Sequence, residues 1–262
     1  KKQIEDIIDK KTESGMRVIA LATSRTERLE NLTFIGLVSI KDEVRKEAIE
    51  GVKLVKNAGI KTIMITGDNK KTAVSIGKEV KLLQNNNDLV FTSKELEQKS
   101  DTELKSLLPN IKIIARALPQ DKSRLVRISQ EIGLVVGMTG DGVNDAPALK
   151  KADVGFAMGS GTEVAKEASD IVILDDNFLS ISKAILYGRT IFKSIRKFII
   201  FQLTVNICAV GLSIIGPFIG VDTPVTVIQM LWINMVMDTL AGLAFSFEPP
   251  LIEYMEEKPK KK

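Results

Sequence analysis

The sequence predicts an α/β chain in which a doubly wound parallel sheet is followed by a transmembrane helical hairpin. Two observations carry this. From Lys61 onward short β-rich runs alternate with helical stretches, the strand-helix-strand pattern that winds a parallel sheet. Beyond Lys197 basic charge disappears, with no Lys or Arg from Phe198 to Glu257.

Taken in order, MRVIALAT (16–23) and LTFIGLVSI (32–40) read as strands because β-branched and apolar residues dominate them. In VRKEAIEGVKLVKNAG the apolar residues recur at helical spacing and Gly59 supplies the C-terminal stop. Further strands are predicted at KTIMIT (61–66), IKIIAR (111–116), LVVGMT (134–139), VGFAM (154–158) and IVIL (171–174), with helices filling the gaps and a polar loop at 84–88. Two apolar runs follow, at 198–221 and 225–247, each about the 20 residues that cross a bilayer as a helix. VDTP between them is too short to hold a domain, so the runs form a hairpin. Arg189, Lys193, Arg196 and Lys197 precede the first run and KPKKK follows the second. By the positive-inside rule both flanks, and with them the α/β part, are cytoplasmic in a multi-pass protein of the lipid bilayer.

Composition narrows the chemistry. The 262 residues include no histidine and one cysteine, Cys208. That excludes a Ser-His-Asp triad, a Cys-His dyad, imidazole-bound zinc and an internal disulfide. Any metal must take oxygen ligands, which suits hard cations such as Mg²⁺ and Ca²⁺. The net charge is +4, but Lys and Arg are interleaved with Asp and Glu and no basic stripe with aromatics appears, so no nucleic-acid partner is expected. The N-terminal KKQIEDIIDKK has no apolar core of a signal peptide and no initiator Met, as expected of a chain that starts inside a longer protein.

Ligands of a doubly wound sheet bind at the carboxyl ends of its strands, and three polar groups fall there. Thr66, Gly67 and Asp68 follow KTIMI and offer a hydroxyl and backbone N–H groups suited to phosphate oxygens. TGDGVND (139–145) packs Asp141, Asn144 and Asp145 around two glycines, an oxygen cluster suited to Mg²⁺. Lys122, in the first turn of the helix after IKIIAR, is placed to neutralise a phosphoryl group. Alone, the Thr66 group is equally a turn with a helix N-cap and Lys122 a solvated surface lysine; the density of TGDGVND argues for a site.

A second constellation lies in the hairpin. Asp238 is in the middle of the second run, where an ionisable group is costly and a functional candidate by default. Asn234, four residues earlier, shares its helical face, and Asn206 is equally central in the first run. The asparagines alone could be interhelical hydrogen-bonding groups; with a carboxylate they suit a dehydrated cation. Since Ca²⁺ takes six to eight oxygens, the set is incomplete.

TGDGVNDAPALKKADVGFAMG closely resembles the signature of the P-type cation-transporting ATPases, and ITGDN, ARALPQDK and IKDEVR match that family's other cytoplasmic blocks in order. DDNFLSISKAILYGRTIFKSIRKFIIFQLTVN and QMLWINMVMDTLAGLAFSFEPP are similar to the fifth and sixth transmembrane helices of calcium pumps. The resemblance implies a haloacid-dehalogenase-like phosphorylation domain and an ATP-driven translocase that forms an aspartyl-phosphate with Mg²⁺ and moves Ca²⁺. By position it implies Asp141 as the Mg²⁺ ligand, with Asn144 and Asp145 shaping that pocket. Thr66 and Gly67 would contact the aspartyl-phosphate, Asp68 would face the nucleotide and Lys122 would stabilise the phosphoryl group. Asp42 and Arg45 match the hinge of the nucleotide-binding domain, although Glu43 and Val44 stand where many relatives have two prolines. Arg116 corresponds to a nucleotide-side arginine, and Asn206, Asn234 and Asp238 to ligands of the transported Ca²⁺.

The same resemblance divides the chain into the tail of a nucleotide-binding domain (1–41), the phosphorylation domain and stalk (42–190), the fifth (191–221) and sixth (223–248) transmembrane helices and a cytoplasmic tail (249–262). No Asp-Lys-Thr-Gly-Thr segment, whose aspartate takes the γ-phosphate, occurs in the sequence. The chain is therefore expected to be inactive alone and to work with the pump's other segments: the actuator domain, the first four helices and the later ones. Ala209 stands where two-site pumps have a glutamate and Met237 where they have a threonine, which implies the plasma-membrane type with one Ca²⁺ per cycle. Other readings are a haloacid-dehalogenase-type phosphatase, which also needs the missing aspartate, a truncated accessory module without catalysis, and a pump for another cation such as Mn²⁺.

Overall fold

The structure, a computed structural model, describes residues 2–24, 32–41 and 43–259. The chain divides into two compact units, Lys1–Ser182 with Lys258–Lys262, and Lys183–Glu257.

The first unit opens with α1 (Lys2–Glu13), β1 (Arg17–Thr23) and β2 (Thr33–Ile40). β1 and β2 pair antiparallel, with an irregularity between Leu21 and Ala22. Then come α2 (Lys46–Asn57), β3 (Met64–Ile65), α3 (Lys70–Glu79), β4 (Leu89–Thr92), α4 (Ser93–Glu97), α5 (Asp101–Leu107), β5 (Ile111–Ala115) and α6 (Pro119–Glu131). The remainder is β6 (Gly137–Gly140), α7 (Ala146–Lys151), β7 (Val154–Met158), α8 (Glu163–Glu167) and β8 (Ile171–Ile173).

All pairings from β3 onward are parallel, as the alternating pattern predicts, and the strands form two three-stranded sheets ordered β3-β5-β4 and β6-β7-β8. β3 and β6 are thus both edge strands. The expected strand at 61–66 shrinks to a two-residue ladder because only β5 pairs with it. LVVGMT pairs only from Gly137, leaving Leu134 and Val135 44% and 60% exposed. β4 was not among the predicted strands. Its four residues follow the turn in which Asp88 accepts from the Gln84 and Asn85 amides, and a reciprocal Thr92–Glu95 cap starts α4 at once.

α6 joins the two cores. Leu125 and Ile128 enter the cluster with Leu96, Leu104, Ile111 and Ile114, whereas Val126 packs with Met138, Ala148, Leu149 and Ala165. Pro119 occupies the first turn of α6, where its missing N–H costs nothing, and the Asp121 carboxylate accepts from the Leu118 amide. Lys122 lies one helical turn before Val126, so it projects toward the β6 side.

The second unit contains most of α9 (Phe178–Ile215), a 3₁₀ turn at Gly216–Ile219, α10 (Val227–Ser246) and a 3₁₀ turn at Ile252–Met255. Pro217 ends α9, and Gly216 is buried so closely against Pro224 that a Cβ there would overlap the ring. Thr226 and Gln229 form the reciprocal cap that starts α10. Both helices are long and apolar enough to cross a membrane. Beyond α10 the chain returns along three cations spaced one turn apart. Arg189 donates to the Tyr254 and Glu257 carbonyls, Lys193 pairs with Glu257 and sits 3.8 Å from the Tyr254 ring centroid, and Lys197 pairs with Glu248.

Candidate active site and ion site

The loop after β6 is built around Asp145. Its Oδ2 accepts from the Asp141 and Gly142 amides at 3.2 and 3.3 Å, and its Oδ1 accepts from Lys122 Nζ at 2.5 Å. Asp145 is 5% exposed, so both carboxylate oxygens are committed to holding the loop and the lysine. Gly140 has no room for a side chain: a Cβ there would lie 2.4 Å from Asp145 Cβ. The Thr162 amide fixes the Asp141 carbonyl at 2.8 Å, and Gly161 permits this approach, since its own Cβ would lie 2.9 Å from that oxygen. The Asp141 main chain is held on two sides, its side chain is exposed, and among the described residues no hydrogen bond or ion pair engages its carboxylate. Asn144 is exposed beside it.

At the end of β3, the Thr66 hydroxyl donates to the Asp68 carboxylate at 2.9 Å and accepts from the Asp68 amide at 3.1 Å. Asn69, rather than Asp68, caps α3 by accepting from the Thr72 amide. A pure capping role for Asp68 is thereby excluded. The Arg116 amide donates to the Asp68 carbonyl and the Ala117 amide to the Thr66 carbonyl, which ties this turn to the end of β5. Arg116 has φ 53°, the left-handed region uncommon for a residue with a Cβ, and its side chain is exposed. Gly67 is exposed, with open space where a Cβ would stand.

Arg45 stands apart from both groups: its guanidinium donates to the Asp176 carbonyl at 3.2 Å. Asp42 lies outside the described residues. Among the described residues no three carboxylate, thiol or imidazole groups converge as a metal site. Asp141 therefore offers a divalent ion a single carboxylate, to be joined by neutral oxygens, water or phosphate. Gly161 was not singled out in the sequence, although it lies in the glycine cluster MGSG.

In the second unit Asn206 and Asn234 are half-buried and Asp238 is exposed. Ala209 lines an apolar cleft between α9 and α10 with Val205, Leu212, Met230 and Ile233.

A family profile described as haloacid dehalogenase-like hydrolase matches residues 5–153, and another of that description matches 135–185. One described as cation transporting ATPase, C-terminus, matches 222–262. Among curated proteins, calcium-transporting ATPase 2 of Schizosaccharomyces pombe is 46% identical over 88% of the chain and 18% of its own length. Plasma membrane calcium-transporting ATPase 1 of Mus musculus is 41% identical and ATPase 4 of Homo sapiens 42% identical, each over 98% of the chain and 23% of its own length. The chain thus spans about a fifth to a quarter of these relatives. A crystal structure of a zinc-transporting PIB-type ATPase in its E2.Pi state matches 97% of the chain and 33% of its own with TM-score 0.61 and 23% identity, a likeness of fold.

Proposed function

Because the chain belongs to the haloacid dehalogenase-like hydrolase family, in its P-type cation-transporting ATPase branch, we propose that it serves within an ATP-driven pump that moves Ca²⁺ across a membrane through an aspartyl-phosphate. The observation that carries this is the division of labour between two neighbouring aspartates. Asp145 is saturated by Lys122 and two loop amides, whereas Asp141 is positioned by its main chain and keeps an exposed carboxylate. A merely structural loop has no need of a second, uncommitted carboxylate beside a lysine.

Asp141 fits a Mg²⁺ ligand, with Asn144 beside it; the ion, when bound, offsets negative charge on phosphoryl oxygens. Lys122 presents its ammonium beside the same loop, where it lowers the cost of a phosphoryl group brought there. Thr66 and Gly67 supply a hydroxyl and a backbone with room where a side chain would stand, Asp68 orients the Thr66 hydroxyl, and Arg116, exposed beside the same turn, is the candidate for contact with the nucleotide. Arg45 and Asp42 belong to the hinge of the nucleotide-binding part. The strand that carries the phosphorylated aspartate is supplied by another segment of the pump, and β3 and β6, both edge strands, the second with Leu134 and Val135 exposed beside it, are suited to take it between them.

Asn206, Asn234 and Asp238 bind the transported Ca²⁺, completed by oxygens from other helices. The apolar cleft at Ala209 supports a single ion per cycle. The α/β unit is cytoplasmic, as the basic flanks of the hairpin require.

The test uses the full-length pump, with phosphoenzyme formed from radiolabelled ATP. Asp141→Asn is expected to abolish Mg²⁺-dependent phosphorylation and Asp238→Asn its dependence on Ca²⁺. The 262-residue chain alone is expected to form no acid-stable acyl-phosphate. Unimpaired calcium uptake by the Asp238→Asn pump would sink the ion-site assignment.

A further inference from the structure

Among the described residues two buried side-chain atoms lack a hydrogen-bond partner, and both are amide oxygens in the hairpin: Gln202 Oε1 and Asn234 Oδ1. Hydroxyls nearby face no such problem. Thr204 donates to the Ile200 carbonyl, Ser213 to the Ala209 carbonyl and Thr239 to the Met235 carbonyl, each one turn back along its own helix. An amide oxygen has no such escape, because the helix N–H groups are already used. Two orphaned acceptors within apolar spans therefore require a donor or a cation from elsewhere.

Their positions favour the cation. Gln202 precedes Asn206 by one turn on α9, and Asn234 precedes Asp238 by one turn on α10, so each helix presents a polar pair on one face. The helices run antiparallel: a Cβ on Gly242 would lie 3.9 Å from the Phe198 ring, and Val205 and Ala209 share a cleft with Met230 and Ile233. One turn on from Phe198 is Gln202, and one turn back from Gly242 is Asp238; a further turn brings Asn206 level with Asn234. The four polar residues thus form two facing pairs, Gln202 with Asp238 and Asn206 with Asn234, one helical turn apart.

We propose that the side-chain oxygen of Gln202 is a ligand of the transported cation, forming a four-residue oxygen set with Asn206, Asn234 and Asp238. This rests on the ion-site reading above. Three amide oxygens and one carboxylate make a hard-oxygen set of low charge, suited to one divalent cation that must also leave.

The experiment measures phosphoenzyme formation from ATP against buffered free Ca²⁺ in the full-length pump. Gln202→Leu removes the oxygen at nearly constant volume, and Gln202→Met is a second apolar variant of similar length. Each is expected to raise half-saturating Ca²⁺ by about tenfold or more, as loss of one charge-assisted contact implies. Phosphorylation by inorganic phosphate without Ca²⁺ stays near wild type and verifies the fold. Gln202→Glu, which keeps an oxygen in place, should remain within about threefold of wild type. Wild-type Ca²⁺ dependence in an apolar variant that still phosphorylates from inorganic phosphate overturns the proposal, as does a Glu variant as impaired as the Leu variant. Asp238→Asn run in parallel separates the two failures. If it loses Ca²⁺ dependence while Gln202→Leu does not shift, only the role of Gln202 falls; if it keeps that dependence, the ion-site reading falls first.

Discussion

Lys122 Nζ and Asp145 Oδ1 form an ion pair at 2.5 Å that links α6 to the loop after β6, with side chains only 20% and 7% exposed. Breaking one side leaves a charge buried without its partner, which costs more than the intact pair contributes. Asp145→Ala is expected to destabilise the chain by roughly 2–4 kcal/mol, and Lys122→Met by a similar amount. Lys122→Met with Asp145→Ala together should cost less than the sum, because neither charge is then stranded. Chemical unfolding of the four proteins gives the cycle, and strict additivity would mean that the pair is not coupled.

Gly140 is the steric counterpart of that pair. A Cβ at 2.4 Å from Asp145 Cβ meets the base of a buried side chain, which cannot swing away as a flexible tip could. Gly140→Ala is therefore expected to displace Asp145 and lower stability by about 1–3 kcal/mol, in the range of overpacked sites. Removing the opposing atom with Asp145→Gly should make the alanine nearly neutral. Thermal unfolding of the single and double variants checks this.

Much of this site was legible because its residues crowd into short motifs. TGDGVND announces a loop rich in oxygen after an apolar strand, and Lys122 follows a Pro-led helix start. The local pattern of TGDGVND does not set Asp141 and Asp145 apart; only the resemblance assigns them unequal roles, and the fold shows that the Asp145 carboxylate is the one turned inward. Asn69 took the cap position from Asp68 for the same reason. β4 escaped because four residues carry too little periodicity to stand out, and the strand at 61–66 looked longer than its ladder because pairing needs a neighbour that local pattern does not supply. Gln202 was overlooked since one amide in an apolar run weighs little in hydropathy. Its meaning emerges when facing helices reveal which acceptors are orphaned.

Acid sensitivity of the first unit should centre on Asp101. Hydrogen bonds from Arg127 and then Arg124 hold its carboxyl below the ordinary aspartate value, and Arg124 also donates to the Leu96 and Lys99 carbonyls. A depressed value in the folded state means stability gained above the unfolded value, about pH 3.9, and lost as pH falls through the folded one. Asp101→Asn should lose stability at neutral pH and then show a flatter decline on acidification below about pH 4 than wild type. The difference should shrink in high salt, since the pairs are partly exposed. Urea titrations across pH measure the slope; parallel curves for variant and wild type would exclude the mechanism.

The segment after α10 is held by main-chain contacts from Arg189. Its guanidinium reaches the Tyr254 and Glu257 carbonyls, while Tyr254 and Met255 are buried. Arg189→Ala should free the 3₁₀ turn, whose Tyr254 and Glu256 amides donate to the Leu251 and Glu253 carbonyls. Hydrogen exchange at those two amides is expected to rise by about tenfold or more, while helix amides in α10 keep their protection. Lys197→Ala, which loses the pairing with Glu248, should have a smaller effect because that pair is more exposed.

Ala209 decides how the hairpin responds to an added carboxylate. The cleft it lines with Val205, Met230 and Ile233 presents an apolar surface, the Thr204 hydroxyl being bonded to the Ile200 carbonyl, so a glutamate introduced there faces apolar groups. Such a group either takes up a proton or forces the helices apart. Ala209→Glu in the full-length pump is therefore expected to reduce the yield of folded protein without raising the number of Ca²⁺ carried per ATP. Glu placed at an exposed position outside the cleft, such as Val210, should cost about as much in insertion, roughly a few kcal/mol at most. It too adds no transported ion. Radiolabelled Ca²⁺ uptake counted against ATP hydrolysed distinguishes the cases: a rise from one toward two ions per ATP in Ala209→Glu would show that a second site needs only this carboxylate, and the dry cleft would then not be what limits the pump to one ion.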